Sequence, residues 1–209
     1  MTSTTSYTTT TPLYGGAIVC DIPTSWKDVS DMRQVPDHQC VYLGPTLQEE
    51  PSLVIEILDH QGSVSNDNAA KYFFDDLAEA NGCSSTTTTS SNSFVTIPAT
   101  TTTTLLKNNN KQENHSTMCF LGIGMQRVAK GRDVDMAGNP RILPIINVQI
   151  ELAVLRLPQV QTDLLITVSR TIKAGDATTT QQQPQLSEEF QRILATFEIR
   201  DWSLFGATP

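Results

Sequence analysis

The chain has 209 residues, of which 38% are hydrophobic and 17% are charged, and its formal net charge is −8. This length is sufficient for one hydrophobic core, since a domain of ~150 residues buries roughly 68 to 70% of its unfolded surface. The negative charge disfavours nucleic acid and anionic membranes as partners, because both are negatively charged, and it favours a basic protein surface.

The sequence lacks the signals of secretion and of membrane insertion. No run approaches the ~18 apolar residues of a membrane span. The N-terminal segment MTSTTSYTTTTP has neither a basic n-region nor an apolar h-region. The four cysteines are far apart and form no CxxC pair, which favours free thiols over disulfides or zinc ligands. We expect a soluble intracellular protein.

The N-terminal part of the chain is predicted to contain a tail, a strand and a short helix. Residues 1–11 are mostly Thr and Ser, which bury too little apolar area to offset chain entropy, so we expect a disordered tail. Residues 17–22 are rich in β-branched side chains and predict a strand. Thr24 or Ser25 can cap a short helix that contains a buried Trp26 and ends before the next proline.

The middle of the chain is predicted to contain two strands and one longer helix. Residues 39–43 and 52–58 predict strands, because both runs are rich in β-branched and aromatic side chains. From residue 66 to residue 80 the apolar residues recur at helical spacing and share one face: Ala70, Phe73, Leu77 and Ala80.

The C-terminal half is predicted to be mainly strands. Residues 117–128 form a long apolar run in which Gly122 and Gly124 permit a bulge or a close backbone approach. Residues 145–157 and 163–172 alternate between apolar and polar side chains, and their short connection predicts a hairpin. A last helix begins after Ser187, and an apolar anchor follows it at the C-terminus.

These elements predict an α+β fold with a central, mostly antiparallel sheet of about six strands flanked by helices. A further short strand is expected around the sequence FVTIP. Low-complexity inserts interrupt the chain near residues 84–93, 99–116 and 176–185. We interpret residues 12–209 as a single domain that carries these inserts.

Three sequence blocks resemble the motifs of a known family. Residues 13–18 read LYGGAI, residues 28–42 read DVSDMRQVPDHQCVY, and residues 155–165 read LRLPQVQTDLL. Together with WSLFG near the end of the chain, they are similar to the Ran guanine nucleotide release factors, the Mog-type Ran-binding proteins. The chain departs from the family pattern at Cys40, where the family has Glu.

The resemblance implies a fold and a function. The implied fold is an α/β/α sandwich, which is also used by the PsbP proteins of photosynthesis. The implied function is that of a monomeric, non-enzymatic protein of the nucleus and cytoplasm that binds the GTPase Ran. It would promote guanine nucleotide release and support nucleocytoplasmic transport without a cofactor. The resemblance places Ran binding on the acidic pair Glu56 and Asp59 and on five residues of the second block: Asp28, Asp31, Arg33, Asp37 and Gln39.

Several points of this interpretation are open at the level of sequence. Residues three apart in a strand point to opposite faces. Glu56 and Asp59 can therefore meet one partner only if Asp59 has left the strand or a bulge intervenes. Arg33 can alternatively form an intramolecular ion pair with Asp28 or Asp31.

Two other functions compete with Ran binding. The first is a PsbP-like structural subunit of a photosynthetic complex. The second is a hydrolase or thiol enzyme that uses Cys40 with His38, although no HExxH, GxSxG or zinc-ligand spacing occurs in the sequence. Gly15, Gly16 and residues 156–163 are interpreted as structural, as a tight backbone approach and a hairpin turn.

Overall fold

A computed structural model describes residues 5–45, 50–83, 93–97, 117–129, 144–172 and 185–206. These ranges contain ten strands and two α-helices. The strands are β1 (Tyr7–Leu13), β2 (Ile18–Pro23), β3 (Lys27–Asp28), β4 (Gln39–Leu43), β5 (Ser52–Asp59), β6 (Ser93–Ile97), β7 (Met118–Ala129), β8 (Ile145–Leu157), β9 (Thr162–Ile172) and β10 (Glu198–Ile199). The helices are α1 (Ala69–Ala80) and α2 (Glu188–Thr196).

The strands form two antiparallel sheets. The larger sheet has seven strands in the order β3-β4-β5-β9-β8-β7-β6, and the smaller sheet has three in the order β1-β2-β10. Each neighbouring pair in both sheets is antiparallel. The predicted β8–β9 hairpin is confirmed, and it turns through a short 3-10 helix at Pro158–Val160.

The larger sheet is covered on both faces. On one face, a sheet-core cluster joins its side chains to β2 and to Phe190, Ile193 and Leu194 of α2. On the other face, an α1 cluster packs Phe73 and Phe74 against β8 and β9. Helices and the small sheet therefore enclose a central antiparallel sheet, as the α+β prediction requires.

The predicted close backbone approach at Gly122 and Gly124 is confirmed. A Cβ atom on Gly124 would lie 2.5 Å from the ring of Phe74, and one on Gly122 would overlap the ring of Phe94. Strand β7 pairs with β8 without a break in register, so neither glycine forms a bulge. The absence of two side chains lets the two aromatic rings lie directly on the sheet.

The predicted disordered tail over residues 1–11 is wrong for its second half. Tyr7–Leu13 forms β1 and pairs with β2. Asp21, which is only 4% exposed, accepts a hydrogen bond of 3.1 Å from the backbone N–H of Thr10 and two from Arg192. Threonine is favourable in strands. Composition alone does not show that β2 and Asp21 are available to pair with this segment, which is why it predicts disorder.

The short helix predicted around Trp26 is also wrong. Lys27–Asp28 is strand β3, which pairs with β4, and only a single 3-10 turn follows at Val29–Asp31. Asp28, not Thr24 or Ser25, caps this turn by accepting from the N–H of Ser30 at 2.8 Å. Trp26 is buried, as predicted.

The interpretation of the two N-terminal glycines needs correction. A Cβ atom on Gly15 or Gly16 would meet no atom within 4 Å, so no tight approach exists. Their φ angles are +67° and +95°, and the preceding Tyr14 has a φ of 49°. Glycine occupies these positions because the chain turns through left-handed conformations that other residues adopt only at a cost.

The predicted inserts lie almost entirely outside the described residues. Ser93 is an exception, because it is the first residue of β6, and Gln185 precedes α2. The boundaries of the single domain and of its inserts stay predictions. Within the described ranges, no helix is long and apolar enough to cross a membrane.

Candidate functional site

Glu56 lies on a part of the larger sheet beside α1. This helix packs mainly against β6, β7 and β8. Glu56 is in β5, opposite Gln39 of β4 and opposite Leu165, whose side chain packs in the α1 cluster. The side chain of Glu56 is 18% exposed, so solvent reaches it. Val41 and Val54 are half-buried neighbours on the same two strands. The sheet thus presents a carboxylate next to apolar side chains.

One oxygen of Glu56 is engaged within the protein. Its Oε1 accepts a hydrogen bond of 2.6 Å from Nε2 of Gln39. Nε2 of His38 lies 3.5 Å from the same oxygen. In the part of the chain that the structure describes, no donor or cation contacts the second oxygen, Oε2. This oxygen is available to a donor from another molecule.

Asp59 does not share this surface. The pairing of β5 with β9 is continuous from Ser52 to Asp59, and Asp59 is the last residue of the strand. No bulge intervenes, so Glu56 and Asp59 point to opposite faces of the sheet. Asp59 is exposed at the end of the strand. One partner can contact both carboxylates only by reaching around this end of β5.

The acidic segment between β3 and β4 is exposed at the edge of the larger sheet. Asp31, Arg33 and Asp37 are exposed, and Asp28 is half-buried where it caps the 3-10 turn. Across the described ranges, no ion pair joins Arg33 to Asp28 or Asp31. Met32 is 59% exposed between these charges. The segment therefore presents charged and apolar side chains to solvent.

Among the predicted binding residues of the second block, the structure brings only Gln39 into contact with Glu56. Asp28 is paired with Tyr42, which packs in the sheet-core cluster on the opposite face from Glu56. Asp31, Arg33 and Asp37 lie in the connection that leads to β4. The predicted binding residues thus surround one edge of the sheet and do not form a single contiguous group.

The geometry around Cys40 does not favour a catalytic thiol. The side chain packs against the sheet-core cluster, and burial raises the pKa of the thiol. A nucleophilic cysteine needs the opposite shift. The neighbouring hydroxyl of Tyr14 lies 2.7 Å from the carbonyl oxygen of Ile55 and 3.0 Å from that of His38, so it fastens this corner of the sheet.

A buried ionic cluster near the end of β5 was missed by the sequence analysis. Asp163 is fully buried, and its Oδ1 lies 2.8 Å from Nδ1 of His60 and 3.3 Å from Nε of Arg156. Its Oδ2 accepts a hydrogen bond of 2.9 Å from the N–H of Gln61. The sequence carried one signal of this cluster, which is the presence of Arg156 and Asp163 inside otherwise apolar strands.

The same cluster holds the connection between β5 and α1. Arg156, which is 2% exposed, donates to the carbonyl oxygens of Gln61 and Val64, both at 2.6 Å, and to Oδ1 of Asn66 at 2.9 Å. A buried charge is tolerated when it is paired and its hydrogen bonds are satisfied. Residues 156–163 are therefore more than a hairpin turn, because they anchor the loop that follows Asp59.

The described residues offer no metal site, since they contain no group of three or more His, Cys, Asp or Glu side chains placed to hold a metal ion.

A family model described as "Ran-interacting Mog1 protein" matches residues 11–171. The chain belongs to the Mog1 family. The match spans both N-terminal motifs and most of the larger sheet.

Two curated proteins are similar to this chain over nearly their full length. A protein of Danio rerio named Ran guanine nucleotide release factor is 29% identical, over 93% of this chain and 98% of its own length. One of Dictyostelium discoideum, named probable Ran guanine nucleotide release factor, is 29% identical, over 92% of this chain and 94% of its own.

The fold is that of a solved Mog1 structure. The crystal structure of the Saccharomyces cerevisiae Ran-binding protein Mog1p aligns with a TM-score of 0.64 and 23% identity. The alignment covers 97% of this chain and 100% of that chain. The Mog1-like fold expected from the sequence is therefore confirmed. These comparisons give no support to the photosynthetic alternative.

Proposed function

We propose that this Mog1-family protein binds the GTPase Ran, promotes the release of its guanine nucleotide and so supports nucleocytoplasmic protein transport. The observation that carries the proposal is the match to the Mog1 family over residues 11–171, together with full-length relatives named as Ran guanine nucleotide release factors. The open carboxylate of Glu56 supplies a chemically suitable contact, because a basic surface of a GTPase would bind it.

Nucleotide release follows from linkage between two binding equilibria. A release factor has to bind the nucleotide-free GTPase more tightly than the loaded GTPase. The same coupling free energy then lowers the affinity of the GTPase for nucleotide. An acidic surface can achieve this by recruiting basic groups that otherwise hold phosphate or order the neighbouring loops. This route requires no covalent chemistry and no cofactor. We propose further that the protein acts as a monomer, in the nucleus and the cytoplasm, and that it does not bind nucleic acid.

We propose that the docking surface is centred on Glu56 and extends along the edge of the larger sheet. Its other members are the residues that the family resemblance suggests: Asp28, Asp31, Arg33, Asp37, Gln39 and Asp59. Glu56 is favoured as the centre because its carboxylate lies beside half-buried valines. A charge pair in such surroundings is less screened than one in open solvent.

Release of labelled GDP and GTP from purified Ran tests the proposal. We expect the wild-type protein to accelerate release. Glu56→Lys should reduce the acceleration at least tenfold, since truncating a desolvated charged contact costs roughly 2 kcal/mol or more. Asp59→Lys should be measured separately, because the two carboxylates face opposite sides of the sheet.

Glu188→Lys provides a matched control. It reverses one carboxylate on α2, on the opposite side of the larger sheet, and should reduce stimulated release much less than Glu56→Lys does. Circular dichroism establishes that each variant is folded. A wild-type protein that neither binds Ran nor accelerates release would contradict the proposed function. Equal activity of wild type and Glu56→Lys would retain the function but reject this surface.

A further inference from the structure

The bond between Gln39 and Glu56 suggests distinct roles for two residues that the sequence grouped together. Gln39 and Glu56 are directly paired across β4 and β5, and the bond from Nε2 to Oε1 is 2.6 Å long. Side chains paired in this way on antiparallel strands are close enough to interact directly. One N–H of the Gln39 amide is therefore committed to the carboxylate inside the protein.

The amide of Gln39 orients the carboxylate without neutralising it. An amide is an uncharged donor, so its hydrogen bond places no positive charge beside the carboxylate. His38 lies 3.5 Å from Oε1, the same oxygen that Gln39 holds. Across the described ranges, Oε2 has no contact with a donor or cation. Both neighbours thus act on one oxygen and leave the other for a ligand.

We propose that Gln39 is a positioning residue that holds Oε1 of Glu56, so that Oε2 is preset to receive one cationic side chain of the partner GTPase. This inference rests on the proposed function. It assigns Gln39 an indirect role in place of the direct contact that the resemblance suggests. The physical basis is preorganisation, because a side chain that is already ordered loses less conformational entropy when the partner binds.

A double-mutant cycle between Gln39 and Glu56 tests the assignment. Gln39→Met preserves the length of the side chain and removes its donor. We expect it to weaken the affinity for nucleotide-free Ran about two- to tenfold, which corresponds to the cost of immobilising one side chain. In a Glu56→Gln background the same substitution should change the affinity by less than about twofold, because the carboxylate to be positioned is gone.

Gln191→Met is the matched control. Nε2 of Gln191 also donates a 2.6 Å hydrogen bond within the protein, to the carbonyl oxygen of Leu186, but it lies on α2 across the sheet from Glu56. This variant should bind Ran as the wild type does. Thermal unfolding should show similar stability for the Gln39→Met and wild-type proteins, which separates positioning from a general effect on folding.

The outcomes distinguish this inference from the proposed function. If the wild type does not bind Ran, the proposed function fails. If the wild type binds and Gln39→Met weakens binding equally in both backgrounds, Gln39 contacts the partner directly and the positioning role is overturned. The positioning role is also overturned if Gln39→Met leaves Ran binding unchanged. It is overturned as well if Glu56→Gln leaves Ran binding unchanged. In both cases the proposed function, Ran binding, is retained.

Discussion

Glu151 is a buried carboxylate that connects the larger sheet to the beginning of α2. Glu151 is 1% exposed. Its Oε1 accepts a hydrogen bond from the backbone N–H of Ser187, and its Oε2 accepts one of 2.6 Å from the hydroxyl of Ser187. Ser187 in turn caps the helix by accepting from the N–H of Phe190 at 3.2 Å. Burial raises the pKa of Glu151, and the hydrogen bonds from Ser187 oppose this shift.

Glu151 should make stability depend on pH in a defined direction. A carboxyl whose pKa is higher in the folded than in the unfolded protein binds protons more readily when folded. Its contribution to stability is therefore complete below its unfolded pKa of about 4.3 and is lost as pH rises through the folded pKa. We expect the free energy of unfolding of Glu151→Gln, minus that of wild type, to increase from pH 4 towards neutrality.

Urea unfolding followed by circular dichroism between pH 4 and pH 7 measures this difference. Glu188→Gln is the control, because it removes an exposed carboxylate from the same end of α2. The control should show a smaller change with pH. A constant difference between Glu151→Gln and wild type over this range would mean that burial of Glu151 does not control its ionisation.

Glu151 also shows what alternation in a strand does and does not reveal. The pattern in residues 145–157 correctly predicts a strand in which Glu151 faces away from Val148, Ile150, Leu152 and Val154. It does not reveal that α2 covers the polar face as well. Helix α2 begins more than thirty residues later in the chain, and only tertiary packing places it over this face of the strand.

Helix α1 sits close to the sheet because β7 carries glycine beneath it. A Cβ atom on Gly124 would lie 2.5 Å from the ring of Phe74 and 2.6 Å from the carbonyl oxygen of Ser93. Phe74 is 1% exposed, and the Ser93 oxygen belongs to the backbone of β6, so neither group can move away easily. Gly124 thus sets the distance between helix and sheet.

Gly124→Ala should destabilise the protein by about 1–3 kcal/mol, which is the usual cost of overpacking a core. Chemical denaturation gives the free energy of unfolding directly. The control is Gly62→Ala, because the nearest atom to its added Cβ would be 3.7 Å away, and it should change stability by less than about 0.5 kcal/mol. Equal stability of both variants would show that the helix moves outward at little cost.

The chain as a whole carries a net charge of −8, which affects how fast it meets a basic partner. Opposite charges on two proteins accelerate their encounter, and salt screens this attraction over a Debye length of about 10 Å at 0.1 M. The effect depends on the summed charge of the molecule and acts before any specific contact forms. It therefore influences the association rate more than the dissociation rate.

We expect the association rate constant with Ran to fall about tenfold or more as salt rises from ~0.02 M to ~0.5 M. Stopped-flow fluorescence measures this rate. Glu188→Lys and Glu56→Lys remove equal amounts of charge from opposite sides of the larger sheet, so comparing them separates the total charge from the local surface. A rate constant that does not change with salt would exclude electrostatic steering.

Local patterns were sufficient for most of the individual elements. The helical period over residues 66–80, the β-branched runs of β4 and β5 and the Ser187 cap depend on residues that are close in sequence, and the structure contains each of them. The three motif blocks also identified the Mog1 family, because motifs are properties of the sequence itself.

Tertiary structure alone decided what these elements contact. Residues 7–13 become a strand because they pair with β2 and because Asp21 accepts from the N–H of Thr10. The 3-10 turn at Val29–Asp31 follows a strand that exists only by pairing with β4. An uninterrupted register places Glu56 and Asp59 on opposite faces. Such outcomes depend on pairing with partners that lie from five to more than a hundred residues away, and local pattern and propensity do not encode this pairing.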